Sequence, residues 1–406
     1  MSPQEPIGAH ASEGPHLRRT AVYEYHREFG KLTEFAGFEM PLWYSGIVSE
    51  CLAVRSGVGI FDVSHMGRIL IRGRDAEAFL DRVSTNDVQS LKPSKAHYSL
   101  LCNPNGGIKD DIVLFKLDEG SFMMIVNAAN RGKDFSWLVE NSRGFDVSLS
   151  DISEAVALFA VQGPKARDAL QRISQGADLR GIPRFCFVKA EIGGLGCLIS
   201  VTGYTGEDGL EVFVPSANRG PSALGIWRAI LEAGSEFGIK PCGLGARDVL
   251  RLEAGLCLYG NDIDEHTNPL EAGLAFAVKM GKGDFIGRDA LEAVAREGPK
   301  RERVGIVLED EGIPRRGFEI SRGGERIGEV TSGTYSPTLR KGIAMGYIRA
   351  GSAAFGDAVE ISIRGRRAKG FISRFPLVKC YWGSEEAKEE ERGRRASFVY
   401  RGVTFP

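Results

Sequence analysis

The chain of 406 residues is long enough for about two or three domains, and its 43% hydrophobic and 26% charged residues are typical of a globular protein. Its 52 Lys and Arg residues nearly balance its 53 Asp and Glu residues, so the composition gives no case for a nucleic-acid partner or an anionic membrane surface. No apolar run approaches the roughly 20 residues that span a bilayer, and the seven cysteines include no pair with C-x-x-C spacing. We therefore expect a cytoplasmic protein with reduced thiols, no membrane contact and no zinc site.

The N-terminal part begins with a polar segment and continues into a short helix. Residues 1–16 contain no apolar signal segment, and we expect them to be flexible. Apolar side chains then recur at helical spacing over 22–29. Thr20 predicts the N-cap of this helix, and Gly30 predicts its end.

The stretch 98–127 is predicted to form three antiparallel strands, because Asn-Gly at 105–106 is a strong hairpin signal between two apolar runs. Asp110 and Asp111 are adjacent in the second of these strands, although Asp is depleted in strands. Their side chains must point to opposite faces. Either one of them is buried and needs a partner or a raised pKa, as general bases do, or both lie at a frayed strand end. The pattern alone leaves both possibilities open.

A second hairpin is predicted from strands at 196–202 and 210–214. Glu211 and Phe213 share one face of the returning strand, opposite an apolar face. An acid beside an aromatic ring suits a flat heterocycle, since a carboxylate accepts two neighbouring N–H groups at once. The alternative is a glutamate that faces solvent.

The segment 243–269 is dense in charge, with two arginines, five carboxylates and one histidine in 27 residues. Arg247 and Arg251 share one face of its predicted helix, so an anion should lie over that face. The anion is either a local carboxylate, such as that of Asp248, or a planar ligand carboxylate, which suits the guanidinium fork. The acidic loop at 261–269 lacks the glycine that follows the acids of an EF-hand, so we expect no metal.

The composition changes after residue 288. Short strands separated by Gly and Pro predict a β-rich domain at 291–382, folded as a small barrel or a sandwich and closing over the preceding part. The charged run that follows predicts a solvated extension at 383–406.

Three segments together resemble the signature of the glycine-cleavage T-protein family, the tetrahydrofolate-dependent aminomethyltransferases. They are 243–269, GYTGEDGLE at 203–211 and FDVSHMG at 61–67, and the resemblance extends over roughly 17–378. It implies an α+β, three-domain architecture with mixed and antiparallel sheets around a central opening and a C-terminal β-barrel-like domain. Residues 17–290 are then the folate-binding catalytic region, made of two interleaved α+β domains of which the inner one covers about 62–150.

The same resemblance implies the site residues. Asp111 matches the aspartate at the reacting end of tetrahydrofolate, Glu211 matches the pterin-binding glutamate, and Arg247 matches an arginine close to the folate. Further folate-pocket positions fall on Met66, Tyr98, Asn127 and Tyr204. The chain departs from the family pattern at Phe115, where some relatives carry Tyr, and at Pro376-Leu377-Val378, which alters a Pro-Phe-Val pattern.

The reaction implied by the resemblance is the transfer of a one-carbon unit. The donor is an aminomethyl group on the dihydrolipoyl arm of H-protein, and the products are ammonia and 5,10-methylenetetrahydrofolate. Tetrahydrofolate is the co-substrate, and the lipoyl group is supplied by the partner, lipoylated H-protein. We expect a monomer that requires no metal, flavin or nicotinamide.

Two other functions are compatible with the same fold. One is a folate-dependent demethylase of a small methylated amine or sulfonium compound, with a different donor beside the same folate. The other is a non-enzymatic folate-binding relative that assists iron–sulfur assembly. Such relatives carry Lys-Gly-Cys-Tyr, whereas Asp284 stands here where the Cys would be, and this difference argues against the assembly function.

Overall fold

A computed structural model of the protein describes residues 17–216 and 222–381. The N-terminus expected to be flexible (1–16) and the predicted charged extension (383–406) lie outside the described residues. In the part of the chain that is described, no helix is long and apolar enough to cross a membrane.

The described residues form helices and strands that are numbered here in chain order. The helices are α1 (Tyr23–Phe29), α2 (Ile47–Ser56), α3 (Ala76–Val83), α4 (Arg131–Asn141), α5 (Ala166–Gln171), α6 (Ser222–Ala233), α7 (Leu244–Glu253) and α8 (Arg288–Glu297). The strands are β1 (Lys31–Phe35), β2 (Phe38–Trp43), β3 (Gly59–Asp62), β4 (Gly67–Arg72), β5 (Lys95–Cys102), β6 (Ile108–Asp118), β7 (Ser121–Val126), β8 (Ser148–Asp151), β9 (Val156–Gln162), β10 (Ser174–Gln175), β11 (Phe187–Ile192), β12 (Leu195–Ser200), β13 (Gly209–Pro215), β14 (Lys240–Pro241), β15 (Arg301–Leu308), β16 (Glu319–Arg322), β17 (Glu325–Ser336), β18 (Lys341–Arg349), β19 (Ala358–Ile363) and β20 (Arg366–Ser373).

A five-stranded sheet in the order β5-β6-β7-β4-β8 contains the predicted meander. The β5–β6 connection turns where expected, because Gly106 adopts a φ of 81° and the Asn103 side chain accepts the backbone N–H groups of Asn105 and Gly107. Helices α3 and α4 cover one face, where Phe79 and Leu138 join a buried apolar cluster with the strands.

A seven-stranded sheet in the order β10-β11-β12-β13-β9-β3-β14 lies against the other face of the five-stranded sheet. The second predicted hairpin forms its β12–β13 pair. Phe115 from β6 packs between the sheets against Phe187 and Phe213, with ring centroids 5.6 Å and 5.4 Å away. The opposite face of the seven-stranded sheet packs on α5 and α6, where Trp227 is fully buried. Both faces of this sheet are therefore core.

Helix α7 is seated by a close backbone approach at its start. A Cβ atom on Gly243 would lie 2.4 Å from the backbone of Leu42, so only glycine allows α7 to begin against β2. The buried Glu50 carboxylate accepts the N–H of Gly243 at 2.9 Å as well as three backbone N–H groups at residues 44–46. These contacts fix the direction in which α7 presents its arginines.

The C-terminal part is a closed barrel in the order β15-β18-β17-β16-β19-β20. The barrel confirms the predicted β-rich fold. Of the two predicted alternatives, a barrel and a sandwich, the structure shows the barrel. A shared apolar cluster, which includes Leu252 of α7 and Met345 of β18, joins the barrel to the preceding part. Polar contacts add to it, since the Glu253 carboxylate accepts hydrogen bonds from Ser336, Thr338 and Arg55.

The mixture of helices, antiparallel sheets and a barrel confirms the predicted α+β fold class, while two local predictions differ. The predicted N-cap at Thr20 is wrong, because α1 begins at Tyr23 after Val22 and no side chain caps it. The Thr20 carbonyl instead accepts the Tyr23 N–H, so the chain makes one further turn before the helix. The predicted strand at 196–202 also differs, because β12 covers Leu195–Ser200 and ends two residues earlier.

Candidate active site

Asp111 lies on β6 and faces the space between the two large sheets. Its carboxylate accepts a hydrogen bond from the Tyr98 hydroxyl at 3.1 Å and one from the Asn127 side-chain amide at 2.8 Å. Tyr98 reaches it diagonally across the ladder, because Tyr98 pairs with Val113 and Leu100 pairs with Asp111. Tyr98 comes from β5 and Asn127 from the end of β7, so three neighbouring strand segments converge on one carboxyl group.

Asp110 points to the opposite face of β6 and is 0% exposed. The possibility that the two aspartates lie at a frayed strand end is therefore wrong, because both strand faces are covered. Asp110 accepts the backbone N–H of Asn127 at 2.9 Å and its side-chain amide at 2.8 Å. Asn127 thus bridges Asp110 and Asp111 at the end of β7.

Burial and charge make Asp111 a weak acid. Burial raises its pKa first and the nearby Asp110 charge raises it further, to about 7, against the lowering effect of hydrogen bonds from Asn127 and Tyr98. A carboxyl group with a pKa near neutrality can both take up and release a proton at physiological pH. Asp111 therefore has the property expected of a general base or proton relay.

Glu211 lies on β13, where its neighbours across the sheet are Ser200 and Ala160. It shares a strand face with Phe213, as the sequence predicts, while Leu210 packs into the core on the other side. The Thr202 hydroxyl donates a hydrogen bond to its carboxylate. Burial raises the pKa of Glu211, whereas the Thr202 hydrogen bond and the charge of Arg247 lower it. The glutamate is therefore not on a solvent-facing surface.

Arg247 and Tyr204 form the neighbouring wall. The Arg247 guanidinium carbon lies 4.5 Å from the centroid of the Tyr204 ring. The Tyr204 hydroxyl donates a hydrogen bond to the Cys257 carbonyl. Burial lowers the pKa of Arg247, and the charges of Tyr204 and Glu211 oppose that effect. Among the described residues no carboxylate lies within ion-pair distance of Arg247, so this cation keeps its capacity to bind a ligand.

Arg251, one helical turn further along α7, has a different role. It forms ion pairs with Asp248 at 2.7 Å and with Asp262 at 2.5 Å. The sequence left open whether a local carboxylate or a ligand is the anion at this helix face. For Arg251 the anion is a local carboxylate. Asp262 also accepts hydrogen bonds from Thr331 and from the Leu258 N–H, which ties the acidic loop to the barrel. Within the residues described, no group of three or more His, Cys, Asp and Glu could hold a metal ion.

The two halves of the site interact electrostatically. The Asp111 charge raises the pKa of Tyr204, and the Tyr204 charge raises that of Tyr98, in each case after burial. Met66 is partly buried and packs on the apolar cluster between the sheets. Beside it, burial and the charge of Arg247 lower the pKa of His65 to about 3, so His65 is a neutral core histidine. Pairwise contacts and charges therefore link six of the residues singled out in the sequence, namely Tyr98, Asp111, Asn127, Tyr204, Glu211 and Arg247, and Met66 adjoins His65, on which the charge of Arg247 acts.

Several residues of this region were not found from sequence. Thr202 holds Glu211, and Phe276 stacks on Tyr98 with ring centroids 5.8 Å apart. Asn130 and Asp134 lie behind Asp110. The position of Thr202 on the same hairpin as Glu211 was an available signal. The other contacts join distant segments, and no local pattern indicates them.

Comparisons with known proteins agree with this arrangement. The family profile described as "GCVT N-terminal domain" matches residues 22–282, and that described as "Glycine cleavage T-protein C-terminal barrel domain" matches residues 301–379. An aminomethyltransferase of Thermoanaerobacter sp. (strain X514) is 45% identical over 358 residues, which cover 88% of this chain and 96% of that protein. An aminomethyltransferase of Thermotoga maritima is 46% identical over 350 residues, covering 86% of this chain and 94% of that protein.

A solved structure is similar over the same length. The crystal structure of glycine cleavage system aminomethyltransferase T from Bartonella henselae superposes with a TM-score of 0.82 and 34% sequence identity. The match covers 89% of this chain and 98% of that one. Because both family profiles and the full-length relatives agree with the fold, the chain belongs to the glycine cleavage T-protein family.

Proposed function

We propose that this protein is a tetrahydrofolate-dependent aminomethyltransferase of the glycine cleavage system. Its substrates are aminomethyl-dihydrolipoyl H-protein and tetrahydrofolate. The observation that carries the proposal is the Asp111 carboxyl group, which is held between Tyr98 and Asn127 with a pKa raised to about 7 by burial and by Asp110. Such a group meets the requirement of a proton-transfer step at neutral pH.

The opposite side of the site suits a pterin. The Glu211 carboxylate has one hydrogen-bond donor in Thr202 and further lone pairs to accept the ring N–H and the amino group of a pterin. Arg247 lies over Tyr204 without a carboxylate partner among the described residues, so its guanidinium can donate to a pterin carbonyl or to the folate chain. In this orientation the nitrogens that react lie towards Asp111.

The proton balance gives Asp111 its role. Two N–H protons leave tetrahydrofolate as the methylene carbon becomes bonded to both nitrogens. The carbon–sulfur and carbon–nitrogen bonds of the donor break, so the sulfur and the amine each require one proton. Asp111 takes a proton from the attacking nitrogen and returns it to the leaving group, which a carboxyl group with a pKa of about 7 can do. Tyr98 and Asn127 keep its oxygens directed at the reacting atoms.

We further propose that the protein works as a monomer in the cytoplasm and takes the lipoyl arm only from H-protein. The decisive assay supplies aminomethyl-loaded H-protein with tetrahydrofolate and measures ammonia and methylenetetrahydrofolate. Both products should form, and neither should form when H-protein is replaced by free methylated amines or sulfonium compounds. Turnover of those small donors would identify a demethylase, and folate binding without turnover of any donor would indicate a non-enzymatic relative.

A further inference from the structure

Helix α4 places the carboxyl group of Asp134 beside Asp110, and Asn130, four residues earlier in the chain, donates a hydrogen bond to Asp110. Both aspartates are 0% exposed. In the described part of the chain, neither Asp134 oxygen has a hydrogen-bond partner when the carboxyl group is ionised and can only accept. Asp110 accepts three hydrogen bonds, from the backbone N–H and the side-chain amide of Asn127 and from the Asn130 amide at 2.6 Å. The pair is therefore strongly asymmetric.

Two buried carboxyl groups in contact cannot both be ionised, so one proton must remain between them. The three N–H donors stabilise the negative charge on Asp110, which leaves the proton on Asp134. The nearby lysines do not replace this proton, because Lys109 and Lys133 direct their ammonium groups at Glu265, at 3.5 Å and 3.2 Å. Burial, followed by the charge of Asp110 and the hydrogen bond to it, raises the pKa of Asp134 to about 10.

We propose that Asp134 is a positioning residue of this site: as a neutral carboxylic acid it donates a hydrogen bond to Asp110, and thereby keeps Asp110 directed at Asn127, which holds Asp111. The effect on turnover rests on the proposed function. The protonation of Asp134 does not, and it is tested on the unliganded protein.

The Asp110 side chain that Asp134 positions acts on Asp111 through its charge. After burial, the Asp110 charge is the second cause of the raised pKa of Asp111. The other titratable or charged groups that influence the three aspartates are Lys109, Lys133, Tyr259, Tyr98, Tyr204 and Cys257. A change confined to Asp134 leaves all of these in place, so its consequences can be assigned to the carboxyl pair.

Two variants separate the hydrogen bond from the shape of the side chain. Asp134→Asn keeps the size and an N–H donor for Asp110 but cannot ionise. Asp134→Leu keeps the branched outline of the side chain, although it is larger, and removes the donor. If Asp134→Leu does not fold, the measurements on wild type and Asp134→Asn below remain decisive.

The first test examines protonation without substrate. Wild-type protein at about pH 8 should show an infrared carboxylic-acid C=O band that is absent in Asp134→Asn, because an ordinary Asp ionises near pH 3.9.

The pH dependence of stability gives a second measure of the protonation of Asp134. Folding of the wild type takes up a proton at Asp134, so its contribution falls as pH rises from about 4 towards 10, and the Tm of Asp134→Asn relative to wild type should increase over that range. The absence of the band, or equal pH slopes, would overturn the proposal.

The second test follows ammonia release from loaded H-protein as a function of pH. Asp134→Leu should lower kcat about tenfold or more with little change in the KM for tetrahydrofolate. Its acid limb should move to lower pH, because an Asp110 side chain that is no longer held in place repels the Asp111 charge less. Asp134→Asn should stay within about threefold of wild type. Wild-type kcat and an unmoved limb in Asp134→Leu would refute the positioning role, as would equal losses in both variants. If the wild type had no activity, the proposed function would be wrong. The infrared and Tm measurements would still test the protonation of Asp134.

Discussion

Asp111 on the five-stranded sheet and Glu211 on the seven-stranded sheet are both partly buried acids, but their surroundings give them different protonation behaviour. Asp111 has a second carboxyl group behind it, and neutral donors, Tyr98 and Asn127, are its only hydrogen-bond partners among the described residues. Glu211 has a hydroxyl donor in Thr202 and the positive charge of Arg247 nearby. Burial raises both pKa values, but only at Asp111 does a like charge add to the increase.

Under the proposed function, this difference assigns proton transfer to the five-stranded sheet and ligand binding to the seven-stranded sheet. A carboxyl group that titrates near neutrality can move protons, whereas one kept ionised by a cation and a donor can hold a ligand through charge-assisted hydrogen bonds. The distinction does not depend on residue type, since Asp and Glu have similar intrinsic pKa values. It depends on what each fold segment places beside the carboxyl group, and exchanging those neighbours should exchange the behaviour.

The largest expected effect is on the proton-transfer side. Asp111→Asn retains the size and part of the hydrogen bonding but removes the basic group, so kcat should fall about 10²–10⁴-fold. Tetrahydrofolate affinity measured by calorimetry should change much less, because the proposed pterin contacts lie at Glu211. In the wild type, kcat should decline below about pH 7, where Asp111 becomes protonated.

Asp110→Asn is the control for the register of β6. Asp110 is buried on the other strand face, so its replacement should lower the Tm more than it lowers turnover. Some loss of rate is expected as well, since Asp110 also holds Asn127. If Asp110→Asn abolished activity while Asp111→Asn retained it, the proton-transfer role would belong to Asp110. If neither change affected the rate, the role of Asp111 would be wrong.

On the binding side, Glu211→Ala should weaken tetrahydrofolate binding by about 1–3 kcal/mol, because the pterin donors lose their acceptor. That corresponds to about 5–150-fold in Kd. Glu211→Gln is the shape-matched control and should lose less, since its carbonyl still accepts one hydrogen bond. Calorimetry is the measurement, and unchanged affinity in Glu211→Ala would remove this residue from the binding site.

The sequence predicts the strands and strand faces on which the two acids lie. It does not predict which residues from distant segments contact them. The Asn-Gly turn fixes the meander, and strand alternation separates Asp110 from Asp111 and places Glu211 with Phe213. The partners that set protonation come from elsewhere in the chain. Asp134 is 24 positions from Asp110, and no local rule brings α4 onto β6. For the same reason, the sequence could not show which anion pairs with Arg247 or Arg251. The Asp262 carboxylate that pairs with Arg251 lies in the loop after the helix, and only the fold brings it to the arginine.

Tyr98→Phe removes a hydrogen bond from Asp111 and should sharpen the difference between the two acids. The Tyr98 hydroxyl lowers the pKa of Asp111, so its loss should raise that pKa and move the acid limb of kcat to higher pH. At a pH well above the limb, kcat should fall only a fewfold, because Asn127 still holds the carboxylate. A limb that moves to lower pH would contradict the assignment of this limb to Asp111.

Thr202→Val should reduce the difference between the two acids, because it removes a hydrogen bond that lowers the pKa of Glu211. The variant keeps the side-chain shape but removes the hydroxyl that donates to the Glu211 carboxylate. The loss of one hydrogen bond to a carboxylate should weaken tetrahydrofolate binding by about 1 kcal/mol at neutral pH.

The pH dependence of binding should change as well. Without the Thr202 donor the pKa of Glu211 rises further, and the ionised form is the one proposed to bind the pterin. As the solution is acidified, affinity should therefore begin to fall at a higher pH than in the wild type. Ser200→Ala is the matched control. The Ser200 hydroxyl lies 3.2 Å from the Thr202 hydroxyl and donates to it, because the single Thr202 proton goes to Glu211. Among the described residues, Ser200 has no hydrogen bond to the Glu211 carboxylate. Calorimetric titration across pH distinguishes the variants. Identical pH dependence in Thr202→Val and wild type would mean that Arg247 alone keeps Glu211 ionised.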